Sequence, residues 1–380
     1  MKSTLIFVAV VACAYALPVS EEEAVLPDPN IPRTVFPEED NPWRQRYIVM
    51  EDSEGHYHIE DLWRNPGETR ANINDLTLFL FTRNNPTSAN TIPANNFNAI
   101  LSSQFSPARI SIFVAHGWNS NVNSGLNAAI RNAVLNRFDA NVFIVDWSGP
   151  ANQFYTTAMS AVPIIGGLLG NFINQIMISF NLTPASFRLV GHSLGAHLVG
   201  VAGKQINGLA DSIVGLDPAG PLYSVGNTAN RIAVGDGDFV QIIHTNGGLL
   251  GFGTAIGDAD FYPNGGSSQP GCGLDLIGTC AHSRAHEFFA ESVATSNFWA
   301  RNCGTQQAYT SGACNGNHRA FMGEFVVDKR IRGRILQDYN FIYKKRQDAT
   351  KALVTTLFAV NWRMNRIMLF ATPSCYSSIV

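Results

Sequence analysis

Short apolar runs recur along the middle of the chain, and each ends abruptly at a Gly, Asp or His residue. Between them lie longer stretches whose apolar residues have helical spacing. The runs fall at residues 110–115, 142–145, 187–190, 213–216 and 239–243. Runs rich in β-branched and aromatic residues, separated by tens of residues, are typical of buried parallel strands joined by crossover helices. The pattern therefore predicts an α/β fold, with a mostly parallel sheet covered by helices on both faces.

Polar residues whose side chains can take part in catalysis or binding follow these predicted strands. They are His116, Asp146, Ser193, Asp217 and His244. Open α/β sheets bind their ligands at the carboxyl ends of the strands. We therefore expect the functional site at that edge of the sheet.

The composition is that of a folded protein with no general affinity for polyanions. Of 380 residues, 46% are hydrophobic and only 14% are charged, and the formal net charge is −3. This excludes a disordered chain and makes nucleic acid an unexpected partner.

The two ends of the chain differ from its middle. Residues 1–16 contain Lys2, an apolar run and small residues at Ala14 and Ala16, which predicts a signal peptide and a secreted protein. That run is too short for a membrane anchor, as are the apolar runs at 158–165 and 352–360, so no transmembrane span is expected.

Residues 17–63 hold twelve acidic side chains and six prolines, and predict an acidic N-terminal arm. Whether this arm is a propeptide or a surface extension stays open. A catalytic domain is expected at 64–332. Residues 333–380, which are rich in Lys and Arg, are expected to form a divergent tail. This tail is either a solvated extension or a helix that contacts anionic lipid.

Five cysteines remain once the predicted signal peptide is removed. Sequence proximity pairs Cys272 with Cys280 and Cys303 with Cys314, and leaves Cys375 unpaired. Metal binding is the competing interpretation. Since no cysteine or histidine pair is repeated at ligand spacing, we expect disulfides and no metal.

The segment from Gly191 to Gly195 matches the pattern G-x-S-x-G, with Ser193 at its centre. This pattern alone is weak, because a chain rich in glycine and serine produces it by chance. Here a predicted strand precedes it, and residues 196–206 follow with helical spacing. Strand, tight turn and helix together predict a serine nucleophile held on an exposed elbow.

A serine nucleophile needs a base and an acid that orients the base. Asp217 follows a predicted strand and is the candidate acid, although Asp-Pro is also a common turn. The late histidines His282 and His286 are both candidates for the base; His282 is favoured because Cys280 lies two residues before it. The backbone amides of Trp118 and Leu194 are the candidate oxyanion-hole donors. No cofactor is required for this chemistry.

Several segments resemble the pancreatic lipase family of animals, in the order in which that family carries them. They are Ala115-His116-Gly117-Trp118, Val145-Asp146-Trp147, Gly191-His192-Ser193-Leu194-Gly195, Gly215-Leu216-Asp217-Pro218, Asp260-Phe261-Tyr262-Pro263 and Cys280-Ala281-His282. The resemblance covers about residues 76–327 and is closest to an insect-type member. It implies an α/β-hydrolase fold and ester hydrolysis, with Ser193, Asp217 and His282 as the triad.

The chain also departs from the triacylglycerol lipases of that family. Only about fifty unrelated residues follow the catalytic region, so no C-terminal β-sandwich domain is expected. The lid of the family lies between the cysteines that match Cys272 and Cys280. Here it has seven residues, too few for a covering amphipathic helix. They include Gly273, Leu274, Leu276, Ile277 and Thr279.

The short lid resembles the phospholipase A1 branch of the family. We therefore expect a secreted serine esterase that cleaves the sn-1 ester of phospholipids at a membrane or micelle surface. The alternative is a triacylglycerol or galactolipid lipase. A non-catalytic lipid-binding or yolk-type protein is the third hypothesis, which the retained triad residues disfavour.

Overall fold

The computed structural model describes residues 46–51, 56–67 and 69–337. The expectations for the signal peptide, residues 17–45, Cys375, the tail beyond residue 337 and a missing C-terminal domain lie outside the described residues. All described residues belong to one structural unit, Asn41–Val380.

The described strands form a hairpin and one large sheet. The hairpin pairs β1 (Tyr47–Glu51) with β2 (Tyr57–Asp61) in antiparallel fashion. The strands of the large sheet are β3 (Thr77–Phe81), β4 (Asn90–Pro93), β5 (Ile110–Ala115), β6 (Ala140–Asp146), β7 (Phe187–His192), β8 (Ser212–Leu216), β9 (Val240–Ile243), β10 (Ala259–Pro263), β11 (Trp299–Asn302), β12 (Arg319–Phe321) and β13 (Gly333–Gln337).

The order across the large sheet is β12-β11-β13-β10-β9-β8-β7-β5-β6-β3-β4. The strands from β13 to β6 run parallel to their neighbours, and the flanking strands at either end pair antiparallel. The predicted α/β fold with a mostly parallel sheet is confirmed. Each of the five predicted strands is present.

The described helices cover both faces of the sheet. They are α1 (Gly125–Arg137), α2 (Ser148–Ala151), α3 (Tyr155–Phe180), α4 (Leu194–Gln205), α5 (Thr279–Thr295) and α6 (Gln306–Thr310). Alternate residues of β5 point to opposite sides, so Phe113 joins the core beneath α3 and α4, whereas Ile112 and Val114 join the core beneath α1 and α5. Two hydrophobic cores thus hold the sheet rigid.

Helix α3 is long and apolar enough, by length and composition, to cross a membrane, and it is the one such helix within the described part of the chain. More than half of its most apolar window is buried. Gly166 and Gly170 let its backbone approach α4 so closely that a Cβ at either position would lie within 2.8 Å of α4 atoms. A helix packed in this way serves as a core helix of the α/β fold.

Two predicted domain boundaries differ from the structure. Ile48, Met50 and Leu62 lie within the predicted arm, yet they are buried in the main core. Similarly, β13 begins at residue 333, where the tail was expected, and pairs in parallel with β10. Net charge and proline content, averaged over long windows, concealed the apolar run Tyr47-Ile48-Val49-Met50 of β1 and the adjacent Ile335 and Leu336 of β13.

Candidate active site

Ser193 lies in the turn between β7 and α4, where the sequence predicts the nucleophile. Its φ of 58° is unusual for a residue with a side chain, as expected for a strained elbow. The turn depends on its glycines, since a Cβ on Gly191 would lie 2.1 Å from the carbonyl oxygen of Gly195. A Cβ on Gly195 would lie 2.4 Å from the carbonyl oxygen of His116. The sequence pattern is therefore a steric requirement of this turn.

Asp217 and His282 are brought together although 65 positions separate them. The His282 Nδ1 lies 2.6 Å from Oδ2 of Asp217, and the aspartate side chain is fully buried. A carboxylate in this position fixes the ring orientation and holds the proton on Nδ1. The other ring nitrogen, Nε2, is then the one able to accept a proton.

The Asp217 carboxylate is itself held by the backbone. Its Oδ1 accepts hydrogen bonds from the amides of Thr245, at 2.8 Å, and Asn246, at 3.0 Å. Gly251 closes the other side, because a Cβ there would lie 2.4 Å from both carboxylate oxygens. These contacts hold the Asp217 carboxylate in one orientation, in which it faces His282.

Ser193 and His282 line the same cleft, which has a volume of about 220 Å³. The His282 Nε2 is buried and has no hydrogen-bond partner among the described residues. Burying a ring nitrogen without a partner is unfavourable, so such an atom marks a place where a further group is expected to bind. Other residues that line the cleft include Met50, Gly117, Trp118, Leu126, His192, Leu250, Thr279 and His286.

The structure decides between the two candidate bases. His286 lies one turn further along α5, and no hydrogen bond joins it to a carboxylate within the described ranges. Burial, with the neighbouring His282 and Arg284, lowers the pKa of His286 to about 4. His282 is the histidine that contacts Asp217, so it is the better candidate.

His192 supports the candidate base from the other side. Its Nε2 donates a hydrogen bond to the carbonyl oxygen of His282, at 3.0 Å. Burial, with the nearby His282 and His286, places the pKa of His192 well below its ordinary value. A neutral His192 thus anchors the backbone of His282 without adding a charge beside it.

The candidate oxyanion donors lie next to the nucleophile. A Cβ on Gly117 would lie 2.7 Å from the Cβ of Ser193, so the loop that carries Trp118 passes directly beside the serine. The Trp118 indole donates to the carbonyl oxygen of Gln153 at 2.8 Å, which fixes this loop. Leu194 is the first residue of α4, where backbone amides are unpaired by the helix and the helix dipole favours negative charge.

Two disulfides join the pairs that the sequence predicts, Cys272 with Cys280 and Cys303 with Cys314. Asp275 lies close to the first pair, but both sulfurs are in the disulfide and so offer no thiolate for a metal.

The predicted lid segment between Cys272 and Cys280 does not form a helix that could cover the cleft. Its residues up to 278 form bends, Leu274 and Leu276 are exposed, and Ile277 is half-buried. Gly273 has a positive φ, and Thr279 is already the first residue of α5. Leu274 and Leu276 are thus exposed to solvent just before the N-terminus of α5, the helix that carries His282.

Met50 and His58 belong to the site although the sequence analysis placed them in the arm. Met50 lines the cleft, and the His58 ring contacts Trp118 edge to face at 5.8 Å between ring centroids. The short apolar run Tyr47-Ile48-Val49-Met50, which is rich in β-branched and aromatic residues, was the available signal for a strand here.

Comparison with known proteins identifies relatives of this chain. The family model described as Lipase matches residues 51–346. The chain is 36% identical to phospholipase A1 VesT1.02 of Vespa tropica over 195 residues, 48% of this chain and 64% of that protein. It is 34% identical to human pancreatic lipase-related protein 3 over 260 residues, 62% of this chain and 55% of that protein.

A third relative is pancreatic triacylglycerol lipase of Cavia porcellus, 30% identical over 263 residues, 63% of this chain and 56% of that protein. The chain thus spans 64% or less of the length of each of these relatives. Among solved structures, the α/β hydrolase MGS-M1 from a deep-sea metagenome covers 55% of this chain and 73% of its own, at 13% identity and a TM-score of 0.31. That likeness is too slight to add to the topology described above.

Proposed function

This chain belongs to the lipase family, and from that premise we propose that it is a carboxylic ester hydrolase acting on the acyl esters of lipids. One observation carries the proposal: His282, joined to Asp217 at 2.6 Å, and Ser193 line the same cleft, and Nε2 of the histidine has no partner among the described residues. This is the arrangement that activates a serine for attack on an acyl carbonyl.

In the proposed mechanism, Nε2 of His282 takes the proton of Ser193 as the serine oxygen attacks the carbonyl carbon. The oxyanion is stabilised by the backbone amides of Trp118 and Leu194. As the intermediate collapses, the C–O bond to the alcohol breaks, and His282 gives its proton to the departing oxygen. Water then attacks the acyl-enzyme, again losing a proton to His282, and the fatty acid leaves as Ser193 recovers its hydrogen.

Within the lipid esterases, we favour phospholipase A1 activity, that is, cleavage of the sn-1 ester. Residues 273–278, between Cys272 and α5, form no helix, and we expect so short a segment to leave the cleft open to bulky polar head groups. The relative with 36% identity is named phospholipase A1, whereas the triacylglycerol lipase reaches 30%. Triacylglycerol hydrolysis is the second candidate, because that lipase aligns over more of this chain.

The proposed setting is a secreted enzyme at a lipid surface. Two disulfides favour an oxidising compartment. Exposed Leu274 and Leu276 offer apolar contacts beside the segment that leads to His282. A membrane or micelle is therefore the proposed partner, with no cofactor.

Labelling and product analysis test this proposal. A fluorescent alkyl phosphonate should label the wild-type protein and not Ser193→Ala, with circular dichroism as the control for folding. Phosphatidylcholine vesicles labelled at either the sn-1 or the sn-2 chain, beside a triglyceride emulsion, then identify the substrate. Release of the sn-1 chain supports phospholipase A1 activity; faster hydrolysis of the emulsion favours the triacylglycerol lipase. Equal labelling of both proteins would remove Ser193 as the nucleophile.

A further inference from the structure

We propose that the hairpin of β1 and β2 is a wall of the catalytic cleft, and that Met50 limits the length of acyl chain that the cleft accepts. The proposal rests on the proposed function, because it concerns the substrate of the same site. It assigns a specificity-determining role to a segment that precedes the large sheet in the chain.

The inner face of the hairpin is buried against the rest of the protein. In its antiparallel register Ile48 pairs with Glu60 and Met50 with His58, so these four side chains share one face. Ile48, Met50 and Glu60 are each 7% exposed or less. The opposite face carries Tyr47, Tyr57 and Ile59, all more than half exposed. The hairpin is thus attached to the protein by its Met50 face.

Two contacts hold that face beside the catalytic residues. Glu60 Oε2 accepts a hydrogen bond, at 2.9 Å, from the amide of Tyr155, the first residue of α3. A carboxylate at a helix N-terminus is favourable because the amides there are unpaired by the helix and the helix dipole is positive. The His58 ring packs edge to face on Trp118, the residue whose amide is the candidate oxyanion donor. The hairpin therefore touches the oxyanion loop itself.

Met50 contributes an apolar surface to the cleft. It lines the cleft together with Ser193 and His282, and its side chain is only 6% exposed. The other apolar lining residues are Trp118, Leu126 and Leu250, whereas Asn119, Ser120 and Ser283 make other parts polar. An acyl chain is apolar and would therefore contact the surface to which Met50 belongs. Met50 is the residue through which the hairpin adds to this apolar surface.

A series of p-nitrophenyl esters tests the role of Met50. The measured quantity is the ratio of kcat/KM for the dodecanoate to kcat/KM for the butyrate. Met50→Ala should raise this ratio about tenfold and Met50→Phe should lower it about tenfold, which is the least that one methylene is worth in an apolar pocket. Val49→Ala is the matched control, because Val49 is the adjacent residue of the same strand and faces outward with Ile59.

The outcomes separate this inference from the proposed function. Opposite shifts in the two Met50 variants, with the control unchanged, support the proposal. Ratios within twofold of wild type in both variants overturn it, even though Ser193-dependent hydrolysis continues. If Met50→Ala melts too early to assay, Met50→Phe alone decides, because it removes no volume. If the wild type hydrolyses no ester in a Ser193-dependent way, the proposed function fails and this inference fails with it.

Discussion

Two buried histidine–aspartate pairs each include a residue that directly follows a strand, Asp217 after β8 and His244 after β9, and the pairs differ in the environment of one ring nitrogen. His282 lies 2.6 Å from Asp217, and His244 lies 2.9 Å from Asp260. The other nitrogen of His244, Nδ1, faces the carbonyl oxygen of Phe252 at 2.6 Å. The nitrogen of His282 that does not contact the aspartate is Nε2. It has no partner in the described part of the chain, and His282 lines the cleft.

This difference separates a proposed catalytic pair from a structural one. Both nitrogens of His244 face acceptor oxygens, so neither is available to take a proton from a substrate or a serine. His116 repeats the structural arrangement, between the carbonyl oxygen of Gly117 and the carboxylate of Asp146. A buried histidine–aspartate contact is therefore insufficient as a sign of catalysis; the second nitrogen must face the nucleophile.

The largest expected effect on kcat comes from removing the imidazole ring of His282, and removal of the His244 ring is the comparison. His282→Ala should lower kcat on p-nitrophenyl butyrate by about 10⁵- to 10⁶-fold, as loss of the base does in other serine hydrolases. His244→Ala, measured well below its melting temperature, should lower kcat less than about 100-fold and mainly lower the melting temperature. Equal losses of kcat in both variants would contradict the distinction between the pairs.

Asp217→Asn is expected to lower kcat by roughly 10⁴-fold while the protein stays folded. The amide keeps the shape of the side chain but favours the wrong tautomer of His282. Steady-state kinetics, with the melting temperature as a check on folding, measure this effect. Wild-type activity in this variant would place the orienting acid elsewhere.

Asp260→Ala should act on stability instead, lowering the free energy of unfolding by about 3 kcal/mol. The Asp260 carboxylate accepts from the amides of Ile256 and Gly257 as well as from His244, and all three would lose their acceptor. Urea unfolding measures the change. The matched control is Asp139→Ala, which removes a carboxylate that is 52% exposed and paired with Arg109, and should cost less than about 1 kcal/mol.

The smallest expected effect concerns His286, one helical turn from His282 of the proposed catalytic pair. Its pKa is about 4 in the folded protein, against an ordinary value of 6.5, because burial disfavours the charged ring. Below pH 6.5 the unfolded chain binds a proton that the folded protein does not. Stability is therefore fully present above pH 6.5 and falls as the pH drops below it, by about 2 kcal/mol for this group at pH 5.

His286→Phe, which cannot take up a proton, should flatten this part of the stability profile. Urea unfolding at pH 7, 6, 5 and 4 gives the comparison with wild type. Other buried histidines add to the slope in both proteins, among them His197, whose pKa burial lowers to about 3. An unchanged slope in the variant would mean that His286 does not titrate in this range.

Much of the fold was predictable because its signals are local. The run at 110–115 matches β5 residue for residue, and the elbow at Ser193 has the glycines that its sterics require. The hairpin was missed because its strands have five residues each and lie in a segment dominated by acidic residues and prolines. Ile335 and Leu336 were missed for a similar reason, among many basic residues.

The candidate site was predictable in its residues but not in its connections. The sequence offered both His282 and His286 as bases, one helical turn apart. In the folded protein Asp146 and Asp260 contact other histidines, His116 and His244. The contact with Asp217 selects His282, and the cleft adds Met50, a residue that no catalytic pattern contains.

The sequence by itself determined the five strands β5 to β9, the crossover helices and the strained serine turn, because hydrophobic periodicity and glycine sterics act between neighbouring residues. Only the tertiary structure decided which histidine meets which carboxylate and which segment walls the cleft. Those contacts join residues tens of positions apart, and burial, rather than any repeating pattern along the chain, selects them.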